Sequence, residues 1–466
     1  MRFNNLDAWL TWQESLNPKE IDLGLDRVNR VLLQAGLSNT FNCPLITVAG
    51  TNGKGSVVAM LESLAKTAGL KVCSYTSPHI FQYNERIKIN ALPVPDTDLC
   101  EVFERIDKAR GNEPLTYFEF GTLAAIDLFF KAQPDLVILE VGLGGRLDAV
   151  NVMDADVSII TSIAIDHVDW LGDNRELIAY EKAGIFRAGK AVVCGDRNPP
   201  KNIITEAEKK KCELLLVGRD FDVRNKNKYN ENKHWQLKSS YDEITNLPVP
   251  NLTGEFQKTN AATAIVALQL LQEKNQLSAN IDFANIASTA LSQINLPGRF
   301  QKINQQPPVF VDVAHNPQAA LALSSQLKLI NSGEGKCWAI VAMLADKDVT
   351  GVLEKISGDI DGLCFAGLES IARGLSAQAL FETLSSSFFE ASKLAKKIEI
   401  TEKNRHDLKS NQCTMLSETV LLASNVEKAC DGVLSKMKEN DRLIIFGSFY
   451  TVADAIRYFS DPNEDI

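Results

Sequence analysis

Short apolar runs alternate with longer segments of helical pattern through the first half of the chain. Apolar runs of about four to eight residues are typical of strands that are covered on both faces, as in a parallel sheet. The pattern therefore predicts an α/β domain with a mostly parallel sheet. The predicted strands are Leu45–Ala49, Val72–Thr76, Leu136–Val141, Val157–Ile163, Ala191–Cys194 and Leu214–Val217.

The chain then becomes polar over Arg224–Lys233, between two short apolar segments, which predicts a long exposed hairpin tip. A helix is predicted over Ala261–Gln272. The dipeptide Pro297-Gly298 interrupts the pattern that follows, as is typical of turns. We place a domain boundary there, so that the first domain spans residues 1–296 and the second spans residues 297–466.

After this boundary the alternation of short apolar runs and helical segments restarts. We therefore expect a second, smaller α/β domain that is Rossmann-like. Its predicted elements are strands at Val309–Val313, Trp338–Met343, Leu363–Ala366, Lys397–Ile400 and Leu443–Phe446, and helices from Pro317, from Ser376 and before Met437.

Length and composition narrow the class of protein. A prior of about 150 residues per domain divides the 466 residues into about two or three domains. The hydrophobic fraction of 45% and the charged fraction of 23% are those of a globular protein rather than a disordered one. With 49 Lys and Arg against 59 Asp and Glu, the net charge of −10 disfavours nucleic acid as the main partner, because a phosphate backbone is also negative.

The cysteines and the hydropathy of the chain indicate a cytoplasmic protein. Nine scattered cysteines without a Cys-x-x-Cys pair are typical of reduced thiols, not of a disulfide framework or a zinc site. The amino terminus lacks the apolar segment of a signal peptide, and no run of about 18 apolar residues predicts a membrane span. Nothing in the sequence requires an oligomer, so we expect a monomer.

A glycine-rich segment, Val48-Ala-Gly-Thr-Asn-Gly-Lys-Gly-Ser56, follows a predicted strand and opens a predicted helix. Its glycines let backbone N–H groups turn toward a ligand, the helix amino end adds positive potential, and Lys54 brings a full charge to phosphates. The strict Walker pattern has Gly at position 48 and Ser or Thr directly after the lysine, whereas this chain has Val48 and Gly55. The segment is a variant phosphate loop, and it favours a nucleoside triphosphate site over a plain glycine turn.

Three residues after neighbouring strands are candidate metal ligands. Glu140 ends a buried strand, where a carboxylate either caps a helix or holds a cation, because an unpaired buried charge is unfavourable. His167 lies between two aspartates after the next strand, and this position favours a ligand over the core histidine that an isolated His usually is. Ser77 ends the strand after the phosphate-loop helix, so its hydroxyl could reach the same crevice at the carboxyl ends of the strands.

Lys182 lies in a segment, Glu181-Lys-Ala-Gly-Ile-Phe-Arg187, that begins as a helix and breaks at Gly184. A lysine at the end of a helix is most often exposed. Spacing alone therefore gives Lys182 no special role.

Together these motifs resemble the folylpolyglutamate synthase/dihydrofolate synthase family, within the Mur-ligase-like ATP-dependent ligases that form amides. The resemblance covers nearly the whole chain, and so many ordered motifs together are specific. They are Ile21–Arg27, Ala49–Gly55, Ser77–His79, Asn84–Ile87, Leu115–Glu119, Leu139–Ala149, Asp166-His167, Glu181–Phe186, Pro297–Arg299, Asp312–Pro317 and Gly447–Phe449.

The resemblance implies roles for individual residues, position by position. The implied catalytic residues are Lys54, Glu140, His167 and Lys182, of which Lys182 matches the lysine that family members carbamylate to N6-carboxylysine. The implied Mg²⁺ ligands are Ser77, Glu140 and His167. The implied ATP-binding residues are Thr51, Asn52, Gly53, Lys54, Gly55, Ser56, Asn260, Arg299 and Asp312. The segments that match dihydropteroate binding contain Asp22, Leu23, Gly24, Leu25, Leu115, Thr116, Tyr117, Phe118, Leu147, Asp148 and Ala149, and His315 and Ser448 match positions for glutamate or intermediate binding.

The resemblance also implies the reaction. A ligase of this family joins L-glutamate to dihydropteroate, giving dihydrofolate, and extends the polyglutamate tail of tetrahydrofolates through an acyl phosphate. The implied cofactors are ATP and Mg²⁺, with two ions expected, and neither a nucleic acid nor a membrane is an expected partner. A carbamate on Lys182 would replace an ammonium, which repels two magnesium ions, by an anion that stabilises them.

Three alternatives share parts of this pattern. A folylpolyglutamate synthase without dihydrofolate synthase activity has the same chemistry, although Ile21–Arg27 and Leu115–Glu119 favour the bifunctional branch. A cell-wall Mur ligase carries a nucleotide-sugar-binding domain ahead of the phosphate loop, and the position of Lys54 leaves no room for one. A nucleotide-binding switch would hydrolyse ATP without an acceptor, and the presence of the complete catalytic set argues against it.

Overall fold

The structure is a computed structural model, and it describes residues 2–19, 21–225, 234–330, 335–384, 414–417 and 419–460. It contains two compact units. The first comprises Met1–Asn251 and Glu255–Asn295, and the second comprises Leu252–Gly254 and Leu296–Ile466. Apart from Leu252–Gly254, the second unit begins at Leu296, which is next to the boundary that Pro297-Gly298 predicts.

The first unit opens with two helices that the strand pattern did not predict, α1 (Leu6–Leu16) and α2 (Asp26–Gln34). The elements of its main sheet and the helices between them follow in chain order. They are β1 (Leu45–Ala49), α3 (Lys54–Thr67), β2 (Val72–Tyr75), β3 (Ile87–Ile89), β4 (Leu92–Pro93), α4 (Asp96–Arg110), α5 (Tyr117–Ala132), β5 (Leu136–Glu140), β6 (Val157–Ile160), α6 (Val168–Leu171), α7 (Arg175–Lys182), β7 (Ala191–Cys194), α8 (Lys201–Lys209) and β8 (Glu213–Leu216). The unit continues with β9 (Phe221–Asn225), β10 (His234–Ser239), β11 (Glu243–Pro248), α9 (Phe256–Glu273) and α10 (Phe283–Ser292), and it contains short 3₁₀ helices at Tyr83–Arg86, Ala149–Val152 and Ala183–Ile185.

The main sheet has the strand order β4-β3-β2-β5-β1-β6-β7-β8. Six neighbouring strands of this sheet are parallel, namely β2, β5, β1, β6, β7 and β8. The strands β3 and β4 add an antiparallel edge. Every residue of β1, β2, β5, β6 and β7 is buried, because helices cover both faces of a parallel sheet. The predicted α/β class and the mostly parallel sheet are therefore confirmed.

A separate antiparallel sheet has the order β11-β10-β9. The predicted hairpin corresponds to β9 and β10, while β11 was not predicted because its burial pattern is too mixed to stand out from a loop. Most of the predicted polar tip, residues 226–233, lies outside the described residues. The helix predicted over Ala261–Gln272 is longer in the structure, because α9 begins at Phe256.

The second unit contains a sheet with the order β12-β13-β18-β14-β15-β17-β16. Its inner strands are parallel, and β12 and β16 pair antiparallel at the edges. The predicted strand at Lys397–Ile400 lies outside the described residues. The described elements are β12 (Gln301–Asn304), β13 (Val309–Asp312), α11 (Pro317–Ile330), β14 (Cys337–Val341), α12 (Val349–Ile356), β15 (Gly362–Ala366), α13 (Ala377–Glu382), β16 (Thr414–Ser417), β17 (Val420–Ala423), α14 (Val426–Leu434), β18 (Arg442–Phe446) and α15 (Phe449–Phe459).

Each unit has its own hydrophobic core. In the first unit, aromatic side chains of α1, α4 and α5 pack edge to face, as between Trp9 and Trp12 and between Phe103 and Phe120. In the second unit, the buried strands pack against α11, α12 and α13. Within the described parts of the chain, no helix has both the length and the apolar character needed to cross a bilayer.

Candidate active site

The carboxyl ends of four neighbouring parallel strands, in the order β2-β5-β1-β6, carry the predicted metal ligands and the phosphate loop of the first unit. Ser77 follows β2, Glu140 ends β5, the phosphate loop follows β1, and His167 follows β6. In open α/β sheets, ligands bind at this edge. The sheet order therefore brings side chains from distant parts of the sequence to the same edge.

The phosphate loop connects β1 to α3 in a conformation that requires glycine at two positions. Gly50 has φ of +153°, and a Cβ there would lie 1.8 Å from the Oγ1 atom of Thr161. Gly53 precedes α3 in the left-handed region, with φ of +89°. Both residues give the loop a backbone path that a side chain would block, which is the path that phosphate cradles need.

The loop is tied to residues 161–164, which follow β6. The backbone N–H of Thr51 donates to Ser162 O at 2.6 Å, and the hydroxyl of Thr51 donates to Ala164 O at 3.1 Å. The hydroxyl of Thr161 donates to Asn52 O at 2.7 Å. The strand β6 ends at Ile160 rather than at the predicted Ile163, and Ser162 and Ala164 bond to the phosphate loop.

Thr161 and Ser162 are site residues that sequence reasoning missed. Their hydroxyls both donate to Asn52 O, at 2.7 and 3.1 Å, so they fix the centre of the phosphate loop. The same segment leads directly to Asp166 and His167. Two adjacent hydroxyl residues at the end of an apolar strand were the available signal, but only the sheet order shows which loop they contact.

Two lysines converge on the carbonyl oxygen of Gly50. The Nζ atom of Lys54 donates to Gly50 O at 3.2 Å and to Thr51 O at 3.3 Å. The Nζ atom of Lys182 donates to Gly50 O at 2.9 Å. Lys182 is 4% exposed, so the expectation of an exposed lysine at a helix end is wrong.

The environment of Lys182 favours its neutral form. Burial and, to a lesser extent, the positive charge of Lys54 together lower the pKa of its ammonium group to about 7, although Asp166 and Asp148 oppose the shift. A large share of Lys182 is therefore an uncharged amine near neutral pH. An uncharged amine is a nucleophile, which an ammonium is not.

The first turns of α9 meet the phosphate loop. The Nδ2 atom of Asn260 donates to Gln257 Oε1 at 2.9 Å, and Gln257 in turn donates to the buried hydroxyl of Ser56 at 3.4 Å. The Oδ1 atom of Asn260 lies 3.0 Å from the position that a Cβ on Gly53 would take. The structure thus brings Asn260 against the loop, and it adds Gln257, which the sequence did not indicate.

The predicted metal ligands occupy different environments. Glu140 is 4% exposed and pairs in register with Val48 on β1, while the side chain of His167 is 32% exposed. His167 has φ of +52°, and its backbone N–H donates to Asp166 Oδ1 at 2.9 Å. Ser77 is half-buried.

Across the part of the chain that the structure describes, no group of three or more His, Cys, Asp and Glu side chains is arranged to hold a metal ion. The predicted set is instead one carboxylate, one imidazole and one hydroxyl. A hard cation such as Mg²⁺ is commonly held by one or two carboxylates and completes its coordination with phosphate and water oxygens. The donor set therefore fits a divalent cation that is bound together with a nucleotide.

Asp148 is a buried carboxylate close to the phosphate loop. It accepts backbone hydrogen bonds from Leu143 at 2.8 Å and from Val150 at 3.1 Å, and it caps the 3₁₀ helix Ala149–Val152. Burial raises its pKa to about 6, although these hydrogen bonds and the charge of Lys54 oppose the shift. Of its predicted neighbours in the site, Leu147 is 42% exposed and Ala149 is buried.

The two predicted dihydropteroate segments near α2 and α5 are joined by Arg27. Its guanidinium group donates to both carboxylate oxygens of Glu119 at 2.9 Å and to Asp22 Oδ2 at 2.6 Å. Glu119 also accepts from the backbone N–H and the hydroxyl of Thr116, which caps α5. Arg27 and Glu119 belong to the quoted motifs, but the sequence did not assign them this contact.

The remaining residues of these segments divide between the core and the surface of the unit. Leu115 is fully buried, so its side chain packs in the core. Leu23, Gly24 and Leu25 are half-buried. The ring of Phe118 lies 5.7 Å from that of Tyr75 on β2, and Tyr117 packs edge to face on Tyr83 at 5.6 Å.

In the second unit, Asp312 ends β13 and accepts backbone hydrogen bonds from Phe300 at 2.8 Å and Ala314 at 2.7 Å. Burial raises its pKa, and the positive charge of Arg299 opposes the shift. The guanidinium carbon of Arg299 lies 5.3 Å from the ring centroid of Phe449. These two predicted nucleotide residues are therefore close enough to interact electrostatically.

His315 and Ser448 lie at the carboxyl ends of neighbouring strands of the second sheet, β13 and β18. The Nδ1 atom of His315 is 2.8 Å from Val313 O. The hydroxyl of Ser448 accepts from Thr451 N at 3.0 Å and so caps α15. Ser448 is 4% exposed, and its side chain has a structural role in the described contacts.

The comparisons with known proteins agree on one family. Residues 48–268 match the Mur ligase middle domain, and residues 298–449 match the glutamate ligase domain of Mur ligases. The dihydrofolate synthase/folylpolyglutamate synthase of Escherichia coli (strain K12) is 38% identical over 450 residues, which cover 96% of this chain and 94% of that protein.

Two solved structures extend the similarity to the fold. E. coli FolC in complex with DHPP and ADP superposes with a TM-score of 0.82 at 37% identity, covering 97% of each chain. A bifunctional folylpolyglutamate synthase/dihydrofolate synthase with Mn, AMPPNP and L-glutamate bound superposes with a TM-score of 0.80 at 37% identity, covering 97% of this chain and 98% of that one.

Proposed function

This chain belongs to the dihydrofolate synthase/folylpolyglutamate synthase family of Mur ligases, and we propose its reaction on that basis. It is an ATP-dependent ligase that joins L-glutamate to dihydropteroate, giving dihydrofolate, and that extends the polyglutamate tail of tetrahydrofolates. The observation that carries the proposal is the convergence of Lys54 and Lys182 on the Gly50 carbonyl of a glycine-built phosphate loop.

The chemistry requires an anionic carboxylate to approach an anionic triphosphate. The substrate's carboxylate oxygen attacks the γ-phosphorus of ATP, the bond to the β,γ-bridging oxygen breaks, and ADP leaves with that electron pair. The amine of L-glutamate then attacks the acyl carbon, and inorganic phosphate leaves. Lys54 reduces the charge repulsion in the first step, and most of the acceleration comes from positioning and electrostatics.

The cofactors are ATP and a divalent metal ion. We propose that the metal is Mg²⁺, that two ions bind, and that Ser77, Glu140 and His167 hold them. A bound Mg²⁺ would supply charge neutralisation at the phosphates and at the attacking carboxylate. The carboxylate of Glu140 and the hydroxyl of Ser77 support the proposal, because hard cations prefer oxygen ligands.

We propose that Lys182 is carbamylated. The neutral amine attacks carbon dioxide, forms a C–N bond and releases one proton, which leaves an N-linked carboxylate. The proposal is supported by the burial of Lys182 and by its pKa of about 7. Mass spectrometry under non-denaturing conditions with ¹³C-bicarbonate should show the adduct, and Lys182→Met should lack it; an unmodified amino group in metal-loaded protein would contradict the proposal.

The substrate-binding residues are also proposals. For ATP they are Thr51, Asn52, Gly53, Lys54, Gly55, Ser56 and Asn260 of the first unit and Arg299 and Asp312 of the second. For the pterin substrate they are Asp22–Leu25, Leu115–Phe118 and Leu147–Ala149. For glutamate or the intermediate they are His315 and Ser448. In this assignment, residues 1–296 carry the ATP and pterin sites and residues 297–466 form the glutamate ligase domain.

An ADP-release assay tests the function. We expect ADP to form with dihydropteroate and with tetrahydrofolate, in each case only when L-glutamate is also present. A folylpolyglutamate synthase without the first activity would respond to tetrahydrofolate alone, and a nucleotide-binding switch would release ADP without an acceptor. Either pattern would refute the proposal as stated.

The substrates of this chain are small molecules, and we propose that it works as a monomer without a nucleic acid or membrane partner. The net charge of −10 supports the exclusion of nucleic acid, because like charges repel. Sedimentation velocity at assay concentration should give one species of about the mass of a single chain, 51.3 kDa. A dimer at that concentration would refute the proposal that the chain works as a monomer.

A further inference from the structure

Arg86 is exceptional among the arginines of the first unit. Every other buried or half-buried arginine described there pairs with a carboxylate, and Arg86 is half-buried but has no ion pair with any described residue. The paired arginines are Arg27, Arg105, Arg110, Arg146, Arg175 and Arg187. A partly desolvated cation without a counter-charge is unfavourable unless an anion from outside the protein binds to it.

The guanidinium group of Arg86 is nevertheless held in place. Its Nε atom donates to the Nδ1 atom of His79 at 2.8 Å. Its central carbon lies 5.5 Å from the ring centroids of both Tyr83 and Tyr117. A guanidinium group positioned in this way by neutral and aromatic neighbours keeps its full charge available to a ligand.

The nearby carboxylate of Glu85 is directed elsewhere. It accepts backbone hydrogen bonds from Ile80 at 2.8 Å and from Phe81 and Gln82 at 2.7 Å. Its oxygens are thus engaged by these N–H groups, and it forms no ion pair with Arg86. A second polar group of the same cluster, the hydroxyl of Tyr83, is buried and has no hydrogen-bond partner among the described residues.

The position of Arg86 relates it to the proposed reaction. Its carbonyl oxygen accepts from Thr76 N at 2.8 Å, so it lies beside the end of β2, next to Ser77. Its other neighbour, Tyr117, belongs to a proposed pterin segment. The group of the substrate that must reach from the pterin segment toward the phosphate loop is the reacting carboxylate.

We propose that Arg86 binds the reacting carboxylate of the pterin substrate, through its terminal nitrogens, while the other carboxylate oxygen attacks ATP. This inference rests on the proposed function and assigns one further substrate-binding residue to it. A guanidinium group recognises a carboxylate through two parallel N–H donors, which also fixes the plane of the carboxylate. Arg86 thus orients the nucleophile as well as holding its charge.

The test compares an acid with its neutral analogue. The dissociation constants of dihydropteroate and of its carboxamide are measured with the full-length chain, for the wild type, Arg86→Met and Arg86→Lys. We expect the wild type to prefer the acid by about 10- to 100-fold, Arg86→Met to lose this preference while binding the carboxamide normally, and Arg86→Lys to retain part of it. A control is Arg105→Met, which removes an arginine that pairs with Asp127 at 2.6 Å and whose described hydrogen bonds are all to that residue, and it should keep the full preference.

The possible outcomes distinguish a failure of the proposed function from a failure of the role of Arg86. If the wild type binds neither compound, the proposed function fails and this inference fails with it. If the wild type prefers the acid and Arg86→Met preserves that preference, only the role of Arg86 is refuted. If Arg86→Met weakens the binding of the acid, of the carboxamide and of ATP by equal factors, Arg86 has a structural role and the inference is refuted as well.

Discussion

Replacing Lys182 by methionine should make the free energy of unfolding respond differently to pH. Lys182 is 4% exposed, and burial with the neighbouring charge of Lys54 lowers its pKa from 10.5 to about 7. In the unfolded chain the amine is solvated and binds a proton up to its ordinary pKa. Folding therefore releases a proton between about pH 7 and pH 10.5, and the wild type gains stability as the pH rises through that window.

The magnitude follows from the width of the window. Each pH unit within it changes the free energy of unfolding by about 1.4 kcal/mol, or about 5 kcal/mol across the whole window. Between pH 7.5 and pH 9.5, partial titration at the lower end reduces the change to about 2.5 kcal/mol. Lys182→Met has no amine to titrate, so the wild type should gain about 2.5 kcal/mol relative to it over this interval.

Urea-induced unfolding at the two pH values measures this difference. The buffers should contain neither metal ions nor bicarbonate, so that the amine stays unmodified. Lys66→Met, which replaces an exposed lysine in the last turn of α3, controls for exchanging a lysine for methionine. If the stability difference between wild type and Lys182→Met is the same at pH 7.5 and pH 9.5, then Lys182 is not the desolvated amine that the structure indicates.

Three further substitutions test the phosphate loop and the pterin segments. Lys54→Ala should abolish ADP formation without unfolding the chain. Unchanged turnover in the ADP assay would refute the assignment of Val48–Ser56 as a phosphate loop. Gly50→Ala forces a Cβ to 1.8 Å from Thr161 Oγ1, so ATP affinity should be lost and the unfolding free energy should fall by about 2 kcal/mol or more, measured by calorimetry and urea titration. Arg27→Gln removes the ion-pair partner of the buried Glu119 carboxylate, so the free energy of unfolding should fall by about 3 kcal/mol. It should also raise the KM for dihydropteroate more than the KM for ATP. Its exposed neighbour on α2 provides the control, since Arg30→Gln should leave stability and both KM values unchanged.

Lys54 and Lys182 share one hydrogen-bond acceptor, the carbonyl oxygen of Gly50. Both Nζ atoms donate to Gly50 O, at 3.2 and 2.9 Å. The charge on Lys54 is one of the causes of the low pKa of Lys182, so removing it should raise that pKa. The pH window of stability should then be narrower in Lys54→Ala than in the wild type, which the same urea experiment can detect.

The sequence by itself determined where the six parallel strands of the main sheet and the phosphate loop lie, but not the antiparallel edge strands β3 and β4. Leu45–Ala49 and Ala191–Cys194 have the bounds that their apolar runs predict, because a strand buried on both faces admits few polar residues. The loop could be found because glycine and lysine at fixed spacing between a strand and a helix form a local signal. A strand with mixed burial, such as Glu243–Pro248, carries no such signal and was missed.

Only the tertiary structure decided how residues distant in the sequence act on one another. Its place at the end of a helix would by itself leave Lys182 exposed, yet it is buried and bonds to Gly50, 132 residues away. Thr161 gives no local sign that it fills the space above Gly50, and Arg86 gives none that it lacks a counter-charge. Burial and pairing depend on which strand ends lie side by side, and the order of strands in a sheet is set by long-range packing rather than by the residues of any one segment.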